Sequence, residues 1–133
     1  MTATVTTLQV NTSLLRLVLK HIEMHPNQWE QEVWQDPTAE CGTTYCFAGW
    51  TIVLSGGRFV DTIPYKAIPP GADPNDKTQW RDIAEYACEL LGLPFDNDTY
   101  YGYGHPLFHP DNTLNDLREM VTDLCEGREV HWP

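Results

Sequence analysis

Four side chains of the types that hold zinc fall into two pairs along the chain. Cys41 and Cys46 lie in "CGTTYCFAGW", and His105 and His109 lie in "GHPLFHPD". Two thiolates and two imidazoles complete a tetrahedral set, so Cys41, Cys46, His105 and His109 form one alternative, a small zinc-stabilised module. Against it, four residues separate the cysteines where two are usual, and each histidine precedes a proline. A residue before proline is pushed toward extended backbone entering a turn. A second chemistry uses Cys46 as a nucleophile. A thiol near a helix start is drawn toward thiolate by the helix dipole. With His105 as its base, Cys46 would serve a cysteine-dependent hydrolase or transferase. The Cys-Gly-x-Cys-aromatic start of papain-like enzymes is not met, because Thr43, Thr44 and Tyr45 separate Gly42 from Cys46. His105 also lies in a Gly/Pro-rich loop, where such enzymes use a strand. The residues favour a structural role: a Thr43 or Thr44 hydroxyl caps the helix that follows, and Cys46 packs as a small apolar side chain. No catalytic set and no cofactor is expected.

The elements that must position these residues follow from periodicity. Leu14, Leu15, Val18, Leu19 and Ile22 recur at helical spacing and predict a first helix over 12–25, stopped by Pro26. The run from Thr44 to Ser55 is apolar nearly all round, which predicts a central buried helix. Gly49 in its middle implies a close neighbour. Trp80, Ile83, Ala84, Ala87, Cys88 and Leu91 predict a third helix over 78–91. A fourth is predicted over 113–126, capped by Asn112 or Thr113 with Asp116 completing a capping box. Prolines 64, 69, 70 and 74 make 58–77 a long loop, with one extended piece at "RFV", and 93–111 reads as a second loop. The expected fold is mainly α: one compact domain of about four helices over 12–127, with two long Pro/Gly-rich loops and tails at 1–11 and 128–133.

Charge narrows the partners. Eight Lys and Arg face nineteen Asp and Glu, for a net charge of -11. Such a surface repels phosphate backbones, so nucleic acid is not an expected partner. No apolar run reaches membrane-spanning length, and the N-terminus lacks a basic n-region and a small-residue cleavage site. The expected setting is the cytosol, and no membrane partner is implied. The fourth helix places Asp116, Glu119, Asp123 and Glu126 on one arc, a docking stripe for a basic partner or a solvated face. Tyr100, Tyr101 and Tyr103 stand among glycines, a composition suited to a binding loop or to rings folded over the core edge. Asp96 and Asp98 alternate as in a calcium loop, but Tyr101 and Leu107 occupy the positions that need Gly and an acid.

Three blocks, "LVLKHIEMHPNQW", "CGTTYCFAGW" and "LFHPDNTLNDLREMV", together resemble an uncharacterised family of small proteins from actinobacteriophages and actinobacteria. The resemblance covers residues 12–126 with interruptions, and "CGTTYCFAGW" is its most specific part. The loops at 58–77 and 96–106 are longer here than in the family's pattern. The resemblance implies a phage or host cytosol as the setting and implies no reaction. Together with the acidity and the lack of a catalytic set, it makes the expected function that of a non-enzymatic interaction protein. On this reading the chain is phage-encoded and binds and modulates a host protein.

Overall fold

The computed structural model describes residues 9–36, 44–60, 63–96 and 103–132. Cys41, Thr43, Asp98, Tyr100 and Tyr101 lie outside the described residues. In chain order the elements are α1 (Thr12–Met24), β1 (Gln35–Asp36), β2 (Thr44–Tyr45), α2 (Phe47–Leu54), β3 (Arg58–Val60), β4 (Ile63–Ile68), β5 (Arg81–Asp82), α3 (Ile83–Leu91) and α4 (Leu114–Cys125). Short 3₁₀ turns stand at Pro26–Gln28, Lys77–Gln79 and Pro106–Phe108. None of the described helices is long and apolar enough to cross a membrane.

The mainly-α expectation is corrected. Among the described residues four helices are joined by two small antiparallel sheets, and the fold is mixed α/β. One sheet pairs β1 with β2, Gln35 opposite Tyr45 and Asp36 opposite Thr44. The other has the order β3-β4-β5. Thr44 and Tyr45, expected in the first turn of the second helix, are strand residues, and α2 begins at Phe47. The third helix starts at Ile83 rather than 78, because Arg81 and Asp82 pair with Ala67 and Lys66 of β4. The stretch 58–77, read as a loop for its prolines, contains the β3–β4 hairpin. Its register jumps between Phe59–Ala67 and Val60–Ile63, so Pro64 falls where the ladder to β3 is interrupted. A residue without an N–H is tolerated there.

One core joins the helices. Leu15, Val18 and Ile22 of α1 meet Phe47 and Ile52 of α2, Ile83, Ala87 and Leu91 of α3, and Leu117 and Val121 of α4. Asn11 caps α1 by accepting the Leu14 N–H at 3.1 Å. It also ties that start to the end of α3, since its backbone N–H donates to the Leu91 carbonyl at 2.8 Å. Gly92 closes α3 with φ +68°, and a Cβ there would run into the Gln9 backbone. Both the left-handed backbone and the close approach require glycine. The second loop is not peripheral either. Pro106, Leu107 and Phe108 are buried, and Leu107 and Phe108 belong to the core.

The close neighbour expected at Gly49 is present. A Cβ on this residue would strike the Trp34 carbonyl oxygen and the Tyr45 side chain. Gly49→Ala gains about 1 kcal/mol of helix propensity. It should nonetheless destabilise the fold by about 1–3 kcal/mol, the usual range for overpacking. Urea unfolding of the variant measures the balance, and a more stable variant would contradict the contact.

Candidate functional site

The sequence motif "CGTTYCFAGW" enters α2 through a polar joint built on Gln31. This side chain is 7% exposed. Its Nε2 donates to the carbonyls of Leu107 at 3.0 Å and His109 at 3.1 Å. Its Oε1 accepts from Trp29 Nε1 at 2.9 Å and from the Phe47 backbone N–H at 3.3 Å. Phe47 N–H is one of the helix-start donors that lack an intrahelical acceptor, so Gln31 caps α2 from a distant segment. All the usual bonds of the amide are made. Asn112 holds the same loop from the other side, donating to the carbonyls of Pro106 at 2.8 Å and Leu107 at 3.2 Å.

Cys46 itself is the helix cap, where a threonine hydroxyl was expected. Its Sγ accepts the Gly49 N–H at 3.4 Å, and its backbone N–H donates to the Val33 carbonyl at 3.0 Å. Thr44 is in β2, and its buried hydroxyl has no hydrogen-bond partner among the described residues. The Cys46 side chain is 1% exposed. Burial pushes its pKa up to about 12, against the opposing pull of the amides at the helix start. The helix dipole that would create a nucleophile is outweighed by desolvation. The sulfur is a protonated, enclosed acceptor and is not presented to a substrate.

The histidines are turned to their own backbone. His105, 5% exposed, starts the Pro106–Phe108 turn, and its Nδ1 accepts the Leu107 N–H at 3.1 Å. Burial lowers its pKa to about 4. Nδ1 of His109 accepts the Asp111 N–H at 3.1 Å. An accepting Nδ1 on a neutral ring leaves the proton on Nε2. Among the described residues no group of three or more His, Cys, Asp and Glu is placed to hold a metal ion. Of the four proposed ligands, Cys41 lies outside the described residues. Elsewhere His21 packs its ring 4.2 Å from that of Trp50 and 4.7 Å from that of His25. Burial, and then the His25 charge, lower its pKa.

The acidic stripe of α4 is only partly free. Asp116 forms the predicted capping box, accepting the Thr113 N–H at 2.9 Å. Asp123 pairs with Arg128 at 2.8 Å, and Glu126 pairs with the same guanidinium. Among the described residues Glu119 has only the Asn115 amide, at 3.3 Å. Of the tyrosine loop, Tyr103 is half-buried between Trp34, 6.0 Å away, and His109, 5.9 Å away. That favours the ring folded over the core edge. The Trp132 ring also meets His109, at 6.3 Å. Sequence reasoning missed Gln31 and Asn112, and it missed a groove of about 490 Å³ that they line with Glu30, Glu32 and Asp111. None of these carboxylates has a cation partner among the described residues. The only signal in the chain is a glutamine set between two tryptophans in "QWEQEVW".

These environments set a pH window for stability. Folded His105 stays neutral down to about 4, while the unfolded chain takes the proton near 6.5, so stability is lost as pH falls between those values. Cys46 and Cys88 are both raised to about 12 from 9.0, so stability is present below 9.0 and is lost as pH rises toward 12. Urea midpoints should plateau between these limbs. His105→Asn keeps an acceptor for Leu107 and should flatten the acid limb; an unchanged limb would exclude the ring as its cause. Cys46 should resist iodoacetamide at neutral pH until the chain is unfolded, and rapid labelling of the native protein would contradict the enclosed thiol.

Compared with models of protein families, with curated proteins and with solved structures, the chain matches none.

Proposed function

We propose that this chain is a non-enzymatic interaction protein that docks an acidic surface onto a basic surface of a host protein and modulates that protein. The setting proposed with it is the cytosol of an actinobacterial host, with the chain encoded by a phage. The observation that carries the docking reading is the groove of Glu30, Glu32 and Asp111. Its described ionisable groups are all carboxylates, and none is neutralised. In a chain of net charge -11 such a surface steers basic partners and rejects acidic ones. Glu119 on α4 is also exposed and has no ion pair among the described residues, though it lies beside Arg118 and Arg128. Asp123 and Glu126 contribute less to the acidic surface, since Arg128 offsets them. The enclosed state of Cys46 argues against the hydrolase alternative.

Capture from lysate of an actinobacterial host, followed by mass spectrometry, identifies the partner. The decisive step is kinetic. Glu30→Lys with Glu32→Lys, both exposed, should leave stability within about 0.5 kcal/mol. The pair should slow association and flatten its salt dependence, because rim charges act on the on-rate. Binding with unchanged rate and salt response would remove the groove from the mechanism. Turnover that depends on Cys46 would overturn the non-enzymatic reading.

A further inference from the structure

The basic side chains are unevenly committed. Four of the eight, Lys66, Arg81, Arg118 and Arg128, are held in ion pairs. Two of the others, Arg58 and Lys77, line one groove of about 450 Å³. It lies between the β3–β4 hairpin and the segment 74–80. β5 fixes that segment, since Arg81 pairs with Ala67. The rest of the wall is Asn75 and the apolar Phe59, Val60, Ile68, Pro74 and Trp80.

The groove is preset. Trp80 donates its indole N–H to the Pro74 carbonyl at 3.2 Å, which fixes the ring. Lys77 Nζ stands 5.9 Å from the centre of that ring, where a cation is attracted to the π face. The Arg58 side chain makes no hydrogen bond or ion pair among the described residues. The acids nearest in sequence among the described residues are turned elsewhere. Asp73 accepts the Asn75 N–H at 2.9 Å. Asp76 takes the Thr78 N–H at 3.1 Å and Gln79 Nε2 at 2.8 Å. No described acid lines the groove. In a protein of net charge -11 this is a local inversion of charge over an aromatic wall.

We propose that the groove of Arg58, Lys77 and Trp80 binds a small organic anion, a phosphate or carboxylate head on a flat apolar body. Arg58 offers a planar fork of donors and Lys77 a point charge, both suited to such a head. The indole and its apolar neighbours would receive the body. The volume falls within the roughly 300–1,000 Å³ of small-molecule sites. This ligand is opposite in charge to the partner proposed for the acidic groove, so the two readings stand or fall separately.

The test uses the full chain labelled with ¹⁵N, with the Trp80 indole resonance assigned through Trp80→Phe. Naphthyl phosphate and naphthoate are titrated in parallel. A saturable shift of that resonance by either supports the site, and the tighter of the two identifies the head group. Arg58→Gln and Lys77→Gln, both exposed, should each weaken binding by about tenfold or more, the usual scale for one charge-assisted hydrogen bond. Lys66→Gln, which removes an ion-paired lysine, should change nothing. Inorganic phosphate alone and naphthol alone should each bind at least about tenfold more weakly, because each keeps only half of the recognition. The proposal is overturned if neither aromatic anion shifts the resonance. It is also overturned if the double variant binds as well as the parent, or if inorganic phosphate binds as tightly as its naphthyl ester.

Discussion

One buried amide governs how the chain meets itself. Gln31 bonds to Trp29 beside it, to the start of α2, and to two carbonyls of the loop before α4. The last of these are 76 and 78 residues away in sequence. A buried polar group is stable only when its bonds are made, and removing one partner strands the others. The joint is therefore all-or-none. Segment 29–33, the cap of α2 and the 105–109 turn must arrive in one arrangement. Cys46 and His105 are buried beside this joint, so their chemistry is decided by desolvation and not by the helix dipole.

The same joint explains why α2 can be apolar on nearly every side. Its core residues have α1, α3 and the 106–108 turn to pack against, while Tyr45 closes the remaining side with Trp50 at 4.7 Å and Phe59 at 5.3 Å. Trp50 reaches back to the Gln28 carbonyl at 3.0 Å, so even its one polar atom is satisfied. The small sheets then serve as braces. β1–β2 sets the entry to α2, and β3–β4–β5 delivers the chain from α2 to α3. Surface ion pairs such as Arg118–Glu23 add little to this, since exposed pairs contribute at most about 1 kcal/mol.

Helices were legible where a periodic stripe and a cap coincide. α1 and α4 lie within a residue of their expected bounds at each end, because Pro26 and the Thr113–Asp116 box are local signals. Of the strands only β3 was legible, as the extended piece at "RFV"; the others were not. Two-residue ladders carry too little pattern, and Pro64 points away from a strand unless the register break opposite it is known. The candidate site was half legible. Cys46 and His105 stood out by type, but their inertness depends on burial by distant residues. Gln31 showed only as a glutamine between two tryptophans and Asn112 only as a candidate helix cap, because an amide becomes a joint only through its partners. The acidic arc on α4 was read from geometry that holds, yet Arg128 neutralises part of it from beyond the helix end.

Glu23 of α1 meets Arg118 of α4 across 95 residues of sequence. During synthesis α1 is therefore made long before its partner helix. At about 5–20 residues per second the interval is roughly 5–20 s. Through that time Leu15, Val18 and Ile22 have no finished core to enter. The chain carries its most hydrophobic helix, α2, in the same waiting half. A nascent chain arranged this way presents sticky surface to the ribosome exit and to chaperones before it can fold. Expression yield, more than equilibrium stability, is where substitutions on α1 will first be felt.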